Sequence, residues 1–231
     1  MDVDHCGGVL KLLEEMKSKY PGFEYRFARD SNKCLSAWMF MTAEMRLFCK
    51  RFCHVLFLDF KKSGISAVNW PYLPITVLDE ENHLHVAAHC LNCEESNDAY
   101  AWNLKKVVEI VPEVARDTKV VFSDRFVSEA VLHEVLPSLE LAALCNLHLR
   151  DLNLGERVKN HPQKSQIKKD FKSMLQNPGD MTFTQWQKNV VGFKQKWPGQ
   201  PSLFLDSIID IKHRWASPWT HKHFLAFKTG W

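Results

Sequence analysis

The chain has 231 residues, 45% hydrophobic and 25% charged, enough to bury one substantial core as a single domain with an insertion or as two small domains. No apolar run approaches the roughly 18 residues of a membrane span, acidic residues stand where a secretory signal has basic ones, and seven scattered cysteines make no disulfide framework; membrane and export are disfavoured, leaving nucleus or cytoplasm. The net charge of +3 divides into +8 over residues 150–231, with 14 Lys and Arg against 6 Asp and Glu, and −5 over the first 149.

In chain order, residues 9–19 read as a short amphipathic helix ended by Tyr20-Pro21-Gly22. Residues 23–29 and 34–40 read as two strands of a hairpin about the Asp30-Ser31-Asn32 turn. Thr42 reads as the N-cap of a helix running to about residue 52. Residues 54–59 then form an apolar run with Asp59 at its tip, the pattern of a strand buried on both faces whose acid projects beyond the sheet. Two further strands, 72–78 and 84–91, meet at Asp79-Glu80-Glu81-Asn82 and complete a meander.

Residues 98–111 have helical spacing in Tyr100, Leu104, Val107, Val108 and Val111, stopped by Pro112. Residues 119–123 repeat the earlier device, a short apolar strand closed by Asp124. A helix over 125–136, a strand over 139–144 and a helix opening at Cys145 follow. The order β-β-β-α-β-α-β-α predicts an α/β fold, a mixed sheet with helices packed on its faces.

Two aspartates at the tips of two buried strands are the chemically interesting feature. If the first and fourth strands of this core are neighbours, as in an RNase H-like sheet, Asp59 and Asp124 stand roughly 4.8 Å apart at one end. Carboxylates that close repel unless a cation neutralises them, and Mg²⁺ accepts one or two such ligands with water filling the rest. Two-metal phosphoryl transfer needs this pair and a third acid. The alternative is plain capping, with Asp124 as the N-cap of the helix after it.

The residues that carry a family resemblance are Tyr25-Arg26-Phe27 with Asp30, Met41-Thr42-Ala43-Glu44-Met45-Arg46, Leu56-Phe57-Leu58-Asp59, Pro74 and Asp79, Glu95 with Tyr100 and Trp102, Ser123-Asp124-Arg125, and Cys145-x-x-His148. Together they resemble the Mutator-like (MULE) transposases. The resemblance implies an RNase H-like mixed five-stranded sheet flanked by helices, with an α-helical insertion. It also implies an Asp-Asp-Glu triad of which Asp59 and Asp124 are the first two members and Mg²⁺ or Mn²⁺ ligands, His148 beside the site, and DNA as partner, with a homo-oligomer left open.

Arg214-Trp215-Ala216-Ser217-Pro218, His223-Phe224 and Phe227-Lys228-Thr229 resemble the segment upstream of the family's Glu. The sequence stops at Trp231 before that Glu, so the expectation is a catalytically inactive core. Phe60-Lys61-Lys62 after the first Asp and Leu147 before His148 depart from the family pattern.

The expected division is an α/β lead-in at 1–53, the RNase H-like core at 54–154 and a basic, truncated helical insertion at 155–231. Cys90-x-x-Cys93 with Cys145 and His148 has the spacing of a zinc site, but an RNase H-like strand order puts the two pairs roughly 19 Å apart. Residues 159–164 and 168–172 could follow a phosphate backbone or simply be a solvated helix face. Trp186, Trp197, Trp215 and Trp219 read as core packing, with base stacking as the alternative. Three functions stay open: a transposase-derived metal-dependent DNA strand-transfer core, a domesticated non-enzymatic DNA-binding or transcription-regulatory protein, and a zinc-stabilised binding domain without nucleic acid. The first two put the chain in the nucleus, with the cytoplasm as the other compartment.

Overall fold

The computed structural model describes residues 3–61, 69–124, 127–175, 181–216, 218 and 220. Lys62, Arg125, Ser217, Trp219 and residues 221–231, which figure in the sequence reading, lie outside them. The chain divides into two compact units, Met1–Glu140 and Leu141–Trp231. Residues 1–53 share the first unit with 54–140.

The first unit runs α1 (Val3–Lys19), β1 (Glu24–Arg29), β2 (Leu35–Met41), α2 (Ala43–Phe52), β3 (Val55–Leu58), β4 (Tyr72–Leu78), β5 (Leu84–Asn92), α3 (Asn97–Ile110), α4 (Glu113–Asp117), β6 (Val120–Ser123) and α5 (Glu129–Val135). With β7 (Leu141–Leu144) the strands form a mixed seven-stranded sheet ordered β1-β2-β5-β4-β3-β6-β7. The five expected strands are there in the expected order, and the β1–β2 hairpin adds two by pairing β2 antiparallel to β5, from Ala37↔Asn92 to Phe40↔His89.

Alternation drives this packing. β2 and β4 bury every second residue, so Met39, Met41, Leu73 and Ile75 are fully buried while their neighbours stay half-buried. α2 and α3 lie on the buried face: Phe48 of α2 stacks at 4.1 Å on His85, the cross-strand partner of buried Val77, and Asn103 of α3 donates to Asn92 Oδ1 at 3.1 Å. Each fully buried aliphatic side chain here contributes roughly 1.5–3 kcal/mol. The helices start at side-chain caps read from sequence or close to it. Thr42 accepts from Met45 N, Ser96 from Ala99 N and Ser128 from Val131 N. Ser128 rather than Asp124 therefore caps α5, which begins later than the expected residue 125.

The second unit continues from β7 through a π-helical stretch (His148–Leu154), α6 (Gly155–Arg157), α7 (Lys164–Leu175), α8 (Phe183–Lys196), α9 (Gln200–Asp206) and a 3-10 helix (Ile209–Arg214). Its core gathers Leu144, Leu149, Phe171, Phe204, Trp186, Trp197 and Trp215. The three tryptophans are at most 5% exposed, so they pack the interior and do not offer rings to a base. Arg214, also buried, donates from Nε to the Ala142 carbonyl at 2.7 Å.

Candidate functional site

β3 and β6 are parallel neighbours in the register Val55↔Val120, Leu56↔Val121, Phe57↔Phe122 and Leu58↔Ser123. Two bonds fix the start of this pairing: Thr118 Oγ1 donates to the Cys53 carbonyl at 2.8 Å, and Lys119 N donates to the His54 carbonyl at 2.9 Å. Asp59 and Asp124 are the next residues on each strand. Two parallel strands that leave the ladder in step bring these residues side by side, with backbones roughly 4.8 Å apart. Asp124 is 8% exposed and Asp59 half-buried. Ser123 Oγ donates to the Asp124 carbonyl at 3.0 Å and holds the backbone at that tip.

Tyr100, fully buried on α3, closes the inner side. Phe60 meets its ring edge-on at 4.8 Å. Burial first, then the charges of Asp124, Glu95 and Asp59 and a hydrogen bond toward Asp124, hold the phenol far above its ordinary pKa. Its hydroxyl turns toward Asp124 without completing a well-aligned bond. The group is therefore a neutral donor facing carboxylates, with the Phe60 ring against it. In sequence Glu95 and Tyr100 entered only as part of the family resemblance, with no role at the acid pair, because Tyr100 falls on the helical stripe with Leu104 and Val107, which marks core.

The donor set suits a hard divalent cation, which takes carboxylate oxygen and keeps several waters. Asp59 and Asp124 would be its ligands. Among the described residues, no group of three or more His, Cys, Asp or Glu side chains comes together as a metal-ligand set. The four-ligand zinc set of Cys90, Cys93, Cys145 and His148 is thus not formed. Cys90 is wholly buried and burial raises its thiol pKa, against the thiolate that zinc requires, while Cys93 is exposed. His148, half-buried, opens the π-helical stretch of the second unit.

Residues 14–142 match the family described as zinc finger SWIM domain-containing protein 1/3, RNaseH-like domain, over more than half of the chain. The chain belongs to this family. The matched span of the RNaseH-like domain contains Asp59, Glu95, Tyr100 and Asp124, and His148 lies past its end. No curated protein matches the chain. No helix among the described residues is long and apolar enough to cross a membrane.

Proposed function

We propose that this chain is a transposase-derived RNase H-like core of the Mutator-like kind, which binds DNA and holds a divalent cation, Mg²⁺ or Mn²⁺, between Asp59 and Asp124. The observation that carries this reading is the in-step exit of two aspartates from adjacent parallel strands. A bound cation there would polarise a phosphoryl oxygen of DNA. The chain's own part is to hold the two carboxylates in place, to keep the Tyr100 phenol protonated against them, and to keep water from that side with Phe60. The resemblance to the MULE family adds His148 as an imidazole able to bond a phosphate oxygen, and DNA as partner makes the nucleus the proposed compartment.

Thermal unfolding with and without Mg²⁺ or Mn²⁺ tests the cation site. The wild-type chain is expected to gain about 2.7 kcal/mol at a cation concentration a hundredfold above Kd, and Asp59→Asn to gain nothing. In the same preparations, Mn²⁺-dependent cleavage of labelled duplex DNA that disappears in Asp59→Asn supports strand chemistry. Duplex binding with neither cleavage nor a cation effect supports the non-enzymatic DNA-binding alternative. Absence of both DNA binding and a cation effect sinks the proposal.

A further inference from the structure

The face of the sheet opposite α2 and α3 carries two rows of side chains that the acid pair does not use. In one row Tyr25, Phe40, His89 and Pro74 are direct cross-strand neighbours; in the other Phe27, Trp38, Leu91 and Tyr72 are. The rings touch across β2, β5 and β4, and β1 adds a pair of its own. Trp38 and Phe40 lie 6.2 Å apart, Phe40 and His89 4.9 Å, His89 and Tyr72 5.8 Å, and Tyr25 and Phe27 6.5 Å, all close to parallel. Thr76 continues the same face to Phe57, which stacks on Phe122 at 4.9 Å, two residues before each aspartate.

These rings are not core. Phe27 is 42% exposed, and Tyr25, Trp38, Phe40, Tyr72 and His89 are half-buried, whereas Met39, Leu73 and Cys90 on the other face are fully buried. A contiguous aromatic surface left partly in water marks a binding face. Two cations stand over its border: the Arg29 guanidinium lies 5.7 Å from the Phe27 ring centre and Lys17 Nζ 5.8 Å from that of Tyr25, although Lys17 also pairs with Glu24 at 3.6 Å and the Tyr25 hydroxyl donates to Glu14 of α1. Burial lowers the His89 pKa, so its ring is a neutral aromatic member of the row.

We propose that this face is a stacking platform for single-stranded nucleic acid. Every base offers a π-face to an aromatic side chain whatever its sequence, and bordering cations attract the phosphates. Rings bordered at the Phe27 end by the Arg29 guanidinium complement a polyanion carrying flat bases. The inference rests on the DNA reading above and deepens it, by giving a strand separated from its duplex a place on the face that leads to Asp59 and Asp124.

The test is fluorescence anisotropy of the full chain with a labelled 15-nucleotide oligothymidylate and, in parallel, with a labelled duplex. Phe27→Ala, Phe27→Leu and Arg29→Ala are suitable variants because both positions are exposed and the fold can be checked by circular dichroism. Expected results are single-strand binding that quenches tryptophan emission, about tenfold weaker in both Phe27 variants, with Leu no better than Ala because it restores apolar area but no ring. Duplex binding with no oligothymidylate binding overturns the platform and leaves the DNA reading standing. Oligothymidylate binding that the Phe27 and Arg29 variants do not weaken also overturns it, as does a Phe27→Ala effect confined to self-association in sedimentation. Binding to neither nucleic acid removes both proposals.

Discussion

Asp79 shows how one carboxylate fixes a turn. Its Oδ1 accepts from Glu81 N at 2.9 Å and His83 N at 2.8 Å, and its Oδ2 lies 2.7 Å from His85 Nε2, while Asn82 takes the left-handed conformation at φ 65°. The His85 bond first, then the His83 amide, lower its pKa to about 2. The sign follows from a folded value below the unfolded one of about 4. The stability Asp79 contributes is complete above pH 4 and is lost as the pH falls through 4 toward 2. Asp79→Asn should therefore lower the thermal midpoint at pH 7 and flatten its decline between pH 4 and pH 2. Melts across that range decide the matter; parallel curves for the two proteins would show that the charge of Asp79 does not hold the turn.

At the scale of elements, α5 separates two roles that the sequence left merged. Asp124 and Ser128 both precede an apolar helical stretch, and either can cap a helix. The structure gives the cap to Ser128, whose hydroxyl accepts from Val131 N at 3.3 Å, and leaves Asp124 at the tip of β6. Ser128→Ala should therefore cost about 1 kcal/mol in chemical denaturation, and Asp124→Asn should cost nothing by way of the helix start. An equal loss of α5 protection in hydrogen exchange for Asp124→Asn would return the capping role to the aspartate. The hairpin of β1 and β2, the Thr42 cap, the meander and the two acid-tipped strands were all legible, because alternation and caps are local properties. Even the adjacency of Asp59 and Asp124 followed once the topology was assumed. The pairing of β2 with β5 was not legible: it joins residues about fifty apart through backbone bonds that leave no mark in either strand's alternation. The aromatic rows depend on that register, since Tyr25, Phe40 and His89 meet only when three strands align. Tyr100 was hidden for another reason, because a buried tyrosine facing an acid has the same helical spacing as one facing leucine.

At the scale of the whole molecule, the question is how much of the basic charge in the second unit is available to a polyanion. Lys159 pairs with Glu156, Lys168 with Asp151, Lys194 with Asp206 and Lys196 with Asp170, whose carboxylate also accepts from Trp197 Nε1. Glu156, Asp170 and Asp206 fall in the region read as an insertion and Asp151 just before it, and all four serve as partners of that region's lysines. Lys164, Lys169 and Lys172 on α7 and Lys188 on α8 are exposed and have no carboxylate partner among the described residues. Lys169 and Lys172, three apart on one helix, share a face. If these four cations each neutralise one duplex phosphate, the logarithm of the binding constant should fall with the logarithm of salt concentration at a slope of about −3.6. The double change Lys169→Glu, Lys172→Glu should reduce that slope by about two and weaken binding alike for every duplex sequence, because phosphate contacts carry no base information. A salt titration by anisotropy reads both quantities. An unchanged slope in the double variant would mean that duplex DNA does not lie along α7, and that the +8 charge of residues 150–231 serves solubility instead.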